Sequence, residues 1–150
     1  MHILLSFALL VFQAGADPLL ARFTGAWTGT GTVLNQPSQV SLIWTWELDG
    51  QFLRLTFKNQ MPKATFEGHA YYRPSGGGRY RGMWFDNAGM VRPIEASGDG
   101  AALVSKWGTP ASEEGETTYR LLSDSEMEIV DRVKSRDGTW REFGRSRVRR

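Results

Sequence analysis

Short segments of alternating apolar and polar residues make up the sequence from residue 24 onward, and groups of turn-forming residues separate them. The turn signals recur about every 11 to 15 residues and delimit about ten strand-like segments. Connections this short leave no room for the helical crossovers of a parallel sheet. The pattern therefore predicts an all-β fold, a closed antiparallel up-and-down barrel of about ten strands.

The alternation around Asp49-Gly50 predicts the register of one hairpin. A two-residue type I′ turn at this dipeptide sets Leu48 opposite Gln51. Because directly opposed residues share a face, apolar residues then meet apolar residues along both strands, and a slip of one residue would mix the two faces. The residues predicted to point inward are Leu42, Trp44, Trp46, Leu53, Leu55 and Phe57.

The same kind of turn at Asp99-Gly100 predicts that Ile94 pairs with Ser105 and that Arg92 pairs with Trp107. Arg92 then lies inside the barrel beside an indole, where a guanidinium is costly unless it is paired or stacked. Two explanations are open at this point. Either Arg92 contacts an anionic or carbonyl-bearing ligand, or it forms a cation–π stack near the rim.

The segment that begins at Gly25 carries the residues expected to close the barrel. Trp27, Gly29 and Gly31 share one face by the two-residue period of a strand. Glycine weakens an ordinary strand, so its repetition indicates tight coiling, a bulge, or the close approach of another backbone or a ligand. We expect the Trp27 indole to close one end of the barrel.

Two flanking segments complete the predicted closure. Residues 17–23 begin with an Asp-Pro pair suited to a helix start, and their apolar side chains are expected to plug the opening. The last strand of a closed barrel runs antiparallel to the first, so we expect Arg145 or Arg147 to stack on Trp27. The alternative is that residues 141–150 form a solvated basic edge or a weak anionic-surface patch.

The composition narrows the possible functions. The chain has 150 residues, the length of one domain. Its 18 basic and 16 acidic side chains give a net charge of +2, which is too small to attract polyanions strongly. Nucleic-acid binding is therefore disfavoured. The absence of cysteine from the sequence excludes disulfides and a thiol nucleophile. No histidine pair or acidic cluster has metal-ligand spacing, so no metal site is expected.

The first 16 residues differ in character from the rest. Residues 3–12 are a short apolar run, and Ala14-Gly15-Ala16 forms a small-x-small site before Asp17. This arrangement is typical of a secretory signal peptide and is too short for a comfortable membrane span. We therefore expect a signal peptide at 1–16, cleaved near Ala16, and an exported barrel domain at 17–150 that is periplasmic or secreted and not membrane-embedded. The alternative is a buried N-terminal helix.

The motifs also resemble those of a known superfamily. Gly25-Ala26-Trp27-Thr28-Gly29-Thr30-Gly31, after a short helical lead-in, resembles the opening of calycin barrels such as lipocalins, fatty-acid-binding proteins and nitrobindin-like proteins. Its Gly-x-Trp-x-Gly-x-Gly spacing is closest to the nitrobindin-like group, which are ten-stranded barrels. Segments 48–53 and 80–86 look like uncharacterised bacterial lipocalin-like proteins. The resemblance implies an arginine packed on the Trp27 indole, at Arg147 or Arg145.

Histidine content bears on both a cofactor and catalysis. Nitrobindin-like proteins hold haem iron through a histidine late in the chain, and no histidine follows His69 here. Because a neutral imidazole is the ordinary haem ligand in such pockets, we expect no haem and no other cofactor. His69 with Glu67 or Asp86 could form an acid–base pair in the barrel, although no nucleophile motif accompanies it. The alternation does not fix the orientation of the strands around His69 and Trp84.

Three functions are compatible with these observations. The first is an exported lipocalin-like barrel that binds a small apolar or amphipathic molecule in its interior. The second is an enzyme that uses the His69–carboxylate pair. The third is a structural or interaction barrel whose interior is filled by its own aromatic side chains. The residues predicted to line a ligand site are Trp44, Trp46, Leu55, Phe57, His69, Arg92 and Trp107, with His69 and Arg92 as its polar contacts.

Overall fold

The computed structural model describes residues 17–150, which form one short helix and ten strands. The predicted signal peptide, 1–16, lies outside the described residues. The elements are α1 (Pro18–Phe23), β1 (Gly25–Val33), β2 (Gln36–Glu47), β3 (Phe52–Met61), β4 (Ala64–Gly76), β5 (Arg79–Asp86), β6 (Val91–Asp99), β7 (Ala102–Gly108), β8 (Glu114–Leu121), β9 (Glu126–Lys134) and β10 (Trp140–Arg149). Within 17–150, no helix has the length and apolar character needed to cross a membrane.

The ten strands form a closed barrel with up-and-down topology. Each strand pairs antiparallel with the next in sequence, and β1 pairs antiparallel with β10 to complete the circle. The predicted fold class, including the strand number and the short N-terminal helix, is therefore confirmed. Closure leaves no unpaired sheet edge in the barrel wall.

The β2–β3 hairpin has the predicted register. Trp44 lies opposite Leu55, and Trp46 lies opposite Leu53. The turn residues Asp49 and Gly50 have φ angles of 57° and 74°, the positive values that both central positions of a type I′ turn require. The apolar faces of both strands are buried or half-buried inside the barrel, so the six residues predicted to point inward do so.

The β6–β7 hairpin differs from its prediction by two residues. Ile94 pairs with Trp107 rather than with Ser105, and the two-residue loop is Gly100-Ala101 rather than Asp99-Gly100. Asp99 remains in the ladder, and Gly100 takes the positive φ of 61° at the first loop position. Since the shift is even, every side chain keeps the face that the sequence assigned to it.

Tight contact between β1 and β10 explains the glycines of the first strand. A methyl group built on Gly29 would overlap the backbone carbonyl of Arg147, and one on Gly31 would overlap that of Arg145. The prediction of a close backbone approach is therefore confirmed at these two positions. Gly25, at the start of β1, has a φ of 110°, which an L-residue with a side chain rarely adopts.

The helical plug is present at one end of the barrel, called the closed end below. Asp17 caps α1 and accepts hydrogen bonds from the backbone N–H groups of Leu19 and Leu20 at 3.1 and 2.9 Å. Phe23 is fully buried, and its backbone carbonyl accepts a 2.7 Å hydrogen bond from Nε1 of Trp27. The indole thus closes this end together with the helix, as the sequence predicted.

The arginine that stacks on Trp27 is Arg150, a correction to the expectation of Arg145 or Arg147. Its guanidinium carbon lies 4.4 Å from the Trp27 ring centroid, and Nη1 donates a 2.7 Å hydrogen bond to the carbonyl of Thr24. Arg145 and Arg147 lie on the outer face of β10, because only alternate residues of a strand face inward. They contribute to closure through their backbone pairing with β1.

Acidic residues of β9 neutralise the basic outer face of β10. Arg145 pairs with Glu128 at 3.0 Å, and Arg147 pairs with Glu126 at 3.5 Å. Arg149 also pairs with Glu126, at 3.5 Å. The interpretation of residues 141–150 as a free basic edge is therefore replaced by that of a cross-strand ladder of exposed ion pairs, each of which contributes little to stability.

Candidate ligand cavity

A cavity of about 370 Å³ occupies the half of the barrel opposite α1. It is formed where β1, β3, β5, β7 and β9 end and where the strands paired with them begin, so it faces away from the closed end. Aromatic and aliphatic side chains make up most of its wall, a composition suited to an apolar guest. The main apolar contributors are Phe57, Phe66, Trp84, Ile94, Trp107 and Phe143.

Two tyrosines form the floor between the cavity and the filled half of the barrel. The hydroxyl of Tyr72 shares a 2.9 Å hydrogen bond with that of Ser105. Below the floor, the ring centroid of Trp44 lies 5.8 Å from that of Tyr72 and 5.2 Å from that of Tyr119. Burial raises the pKa of Tyr72 to about 12 and raises that of Tyr119 as well. Both hydroxyls therefore stay neutral in the physiological range.

The wall indoles lie over glycines of neighbouring strands. A methyl group on Gly68 would overlap the Trp84 ring, and one on Gly115 would overlap the Trp107 ring. Phe66 stacks on Trp84 with ring centroids 6.0 Å apart and an angle of 15° between the ring planes. The glycines thus let large flat side chains line the wall without filling the cavity.

A hydrogen-bonded chain leads from the wall to an inward carboxylate. Nε1 of Trp107 donates to Oγ1 of Thr117 at 3.3 Å, and this hydroxyl donates to Oδ1 of Asp131 at 2.7 Å. Loss of solvation on burial, the largest effect, raises the pKa of Asp131 to about 6, against the opposing hydrogen bond from Thr117. At pH 7 the Asp131 carboxyl group is therefore mostly ionised.

Arg92 is both paired and stacked inside the cavity. Its guanidinium lies 3.3 Å from a carboxylate oxygen of Asp86 and 3.3 Å from one of Glu113. Its central carbon also lies 5.4 Å from the Trp107 ring centroid. Asp86 accepts a further hydrogen bond from Nε1 of Trp84 at 3.0 Å. Of the two explanations for an inward arginine, the structure supports the stack, reinforced by ion pairs, and the charge of Arg92 needs no anionic ligand.

Asn59 is a further polar residue of the cavity wall. The residue is only 4% exposed, and its Oδ1 atom accepts no hydrogen bond from any residue of 17–150. A buried carbonyl oxygen without a donor is costly in an apolar environment. Asn59 is among the residues that line the cavity, but its Oδ1 atom is itself buried, so a donor in the cavity reaches this oxygen only if the side chain reorients.

Three residues of the predicted ligand site line this cavity, namely Phe57, Arg92 and Trp107. Trp44 and Leu55 are buried in the filled half, beneath the tyrosine floor. Trp46 is half-buried near the closed end of β2. The expectation that these three line a ligand site is corrected, because the inner face of a barrel strand runs through both the filled and the open half.

His69 lies on the outer face of β4, which corrects its assignment to the interior. It is exposed, whereas its neighbours Gly68 and Ala70 are buried. The predicted acid–base pair inside the barrel is therefore not formed. His69 is also not among the residues that line the cavity.

The sequence predicted only part of the cavity lining, and three of the residues that it missed show why. The alternation does not orient Trp84, because β5 carries large apolar residues on both faces, with Met83 and Phe85 outside. Asn59 and Asp131 are polar, and a pattern of apolar residues does not predict an interior position for them. The alternation of β9 was a usable signal, because Asp131 follows Ile129 at the two-residue spacing of an inward face.

Neither a protein-family model nor a curated protein matches the sequence. Solved structures do share the fold. Rv2717c from M. tuberculosis has a TM-score of 0.66 and 12% identity, with 87% of this chain and 94% of that chain covered. The redesigned β-barrel mFAP1, bound to DFHBI, has a TM-score of 0.51 and 10% identity, with 88% and 98% covered. EF1p2_mFAP2b, also bound to DFHBI, has a TM-score of 0.51 and 9% identity. At these identities the similarity is one of fold.

Proposed function

We propose that the protein is a binding protein that takes a small, largely apolar or amphipathic molecule into the cavity opposite α1. The observation that carries this proposal is the division of the barrel interior. Trp27, Trp44 and the floor tyrosines fill one half, whereas the other half keeps about 370 Å³ of space within an aromatic wall. An interior designed only for packing would be filled to near-crystalline density throughout.

The comparisons support the capacity of this fold to hold a guest. Two barrels of similar fold, mFAP1 and EF1p2_mFAP2b, bind DFHBI.

The proposal also includes export of the protein: residues 1–16 act as a signal peptide, and the mature protein begins at Asp17. Mass spectrometry of the protein isolated from its host checks the export proposal, because cleavage elsewhere or none at all contradicts it.

Binding of a neutral apolar fluorophore, N-phenyl-1-naphthylamine, tests the cavity directly. We expect its emission to increase and shift to the blue on titration with the protein, as it leaves water for the aromatic wall. Ala88 is exposed at the mouth of the cavity, so Ala88→Trp should block entry without altering the core. Ala26→Trp is the matched control, because Ala26 is exposed on the outer face of β1.

The outcomes separate the three functions. Loss of binding in Ala88→Trp and normal binding in Ala26→Trp support the proposal. No binding by the unmodified protein, or equal binding by both variants, overturns it and favours a barrel with a structural role. Enzymatic use of His69 has no support from its position outside the barrel.

A further inference from the structure

We propose that the cavity selects ligands in which an apolar, preferably aromatic, body carries a positively charged nitrogen, and that Asp131 binds this nitrogen. The inference rests on the proposed function and adds the chemical class of the guest. An inward arginine by itself suggests an anionic ligand. Here the expected ligand is a cation, because Arg92 already pairs with two carboxylates.

Asp131 is an inward carboxylate without a counter-charge. Its Oδ1 atom accepts the Thr117 hydroxyl at 2.7 Å, and no Lys, Arg or His of residues 17–150 forms an ion pair with it. A half-buried carboxylate of this kind is costly when it is unpaired. A bound cation removes that cost, and it does so more effectively in a cavity than in water because the local dielectric is lower.

The second oxygen of Asp131 has no partner among residues 17–150. Asp131 lines the cavity, and its Oδ2 atom makes no hydrogen bond or ion pair with any described residue. A Cβ atom built on Gly144 of β10 would lie 3.0 Å from Oδ2 and 3.5 Å from Cγ2 of Val33, so the carboxylate occupies the space that a side chain at position 144 would need. Since Thr117 holds the other oxygen, the carboxylate is oriented while Oδ2 stays free to accept a charged N–H donor.

The charge balance of the cavity points to the same ligand class. Its lining contains three carboxylates, from Asp86, Glu113 and Asp131, and one guanidinium, from Arg92. The formal charge of the lining is therefore −2, and Asp131 is the one of the three acids that Arg92 does not contact. The aromatic faces around it add a second attraction, because indole and phenyl rings also bind cations.

If Asp131 binds the cation, the affinity for a cationic ligand should depend on the protonation of this carboxyl group. The pKa of this carboxyl is about 6, raised first by burial and further by the negative charge of Glu142 on β10, with the Thr117 hydrogen bond acting in the opposite direction. The other ionisable groups that line the cavity are Asp86, Arg92 and Glu113, together with Tyr72 and Tyr119, whose raised pKa values keep both hydroxyls neutral over this pH range. Affinity for a cation should therefore fall as the pH drops below about 6, whereas affinity for a neutral analogue should not follow this titration.

Three naphthalene probes that differ in one substituent test the proposal: 1-naphthylmethylamine, 1-naphthalenemethanol and 1-naphthoic acid. Isothermal titration calorimetry at pH 7.5 should show the ammonium probe binding about ten-fold more tightly than the alcohol, as expected for one charge-assisted hydrogen bond. The carboxylate should bind most weakly. Asp131→Asn should reduce the amine to the affinity of the alcohol. Asp49→Asn is the control, because it removes the same charge at an exposed turn of the closed end.

The results distinguish a failure of this inference from a failure of the proposed function on which it rests. If none of the probes and no N-phenyl-1-naphthylamine binds, the proposed function fails. If the alcohol binds as tightly as the amine, or Asp131→Asn keeps the preference, the inference fails while ligand binding stands. A pH titration of the unmodified protein needs no variant: an amine affinity that stays constant from pH 7.5 to 5 also overturns the role of Asp131.

Discussion

Replacing Asp131 by asparagine is expected to stabilise the unliganded protein at pH 8 and to leave its stability nearly unchanged at pH 4. The substitution keeps the shape of the side chain, and the Thr117 hydroxyl can still donate to the new amide oxygen. What it removes is a half-buried negative charge that no residue of 17–150 pairs with. The free energy of unfolding should therefore increase wherever Asp131 is ionised.

The magnitude follows from the two pKa values of this group. Burial raises the pKa of Asp131 from 3.8 in the unfolded chain to about 6 in the barrel. Below pH 3.8 the carboxyl is protonated in both states, and the variant gains nothing. Between pH 3.8 and pH 6 the unfolded chain loses its proton first, so rising pH favours unfolding of the wild type. A difference of about two pKa units corresponds to about 3 kcal/mol, reached above pH 6.

Urea unfolding followed by tryptophan fluorescence at several pH values between 4 and 8 measures this difference. Other groups titrate equally in both proteins, so the difference between Asp131→Asn and the wild type isolates one carboxyl group. Asp49→Asn is the control, since it removes the same charge at an exposed turn while an Asn-Gly turn preserves the β2–β3 hairpin, and it should not reproduce the gain at pH 8. A gain of the same size at pH 4 and pH 8, or a loss at pH 8, refutes the assignment of Asp131 as an unpaired buried charge.

Three further outcomes are expected from the described contacts. Arg150→Ala should lower the free energy of unfolding by about 1 to 2 kcal/mol, because it removes the stack on Trp27 and two hydrogen bonds to backbone carbonyls. Arg145→Ala should cost less than about 1 kcal/mol, because it removes only exposed ion pairs. Equal losses in urea unfolding would contradict this ordering. Gly29→Ala should cost about 3 kcal/mol by forcing β1 away from β10, measured in the same way, and an unaffected midpoint would contradict the close approach. Trp84→Phe should reduce the quenching of protein fluorescence by a bound naphthalene probe, and unchanged quenching would place the probe elsewhere.

The architecture could be predicted from the sequence because turn geometry, strand alternation and helix capping act between residues that are close together in the chain. The Asp49-Gly50 turn determines which residues of β2 and β3 oppose each other, and the two-residue period then assigns Trp44 and Leu55 to the inside. The cap at Asp17 depends only on the backbone N–H groups of the next helical turn. None of these features requires knowledge of the far side of the barrel.

The location of the cavity depended on distances across the barrel, which the sequence pattern does not contain. Trp44 fills its half because its ring meets those of Tyr72 and Tyr119, which belong to β4 and β8. The neutralisation of Arg92 depends partly on Glu113, which lies in a loop outside any strand. Sequence alternation could therefore identify inward residues, but it could not show which of them meet a neighbour and which face empty space.

The position of Arg150 has a practical consequence for measuring binding. Its stack on Trp27 places the end of β10 beside α1, at the opposite pole of the molecule from the cavity. A peptide linker that follows Arg150 can therefore tether the protein to a sensor chip with the mouth directed into the flowing solution. The protein tethered in this orientation should bind a ligand with the same affinity as the free protein, in surface-based kinetics and in pull-downs.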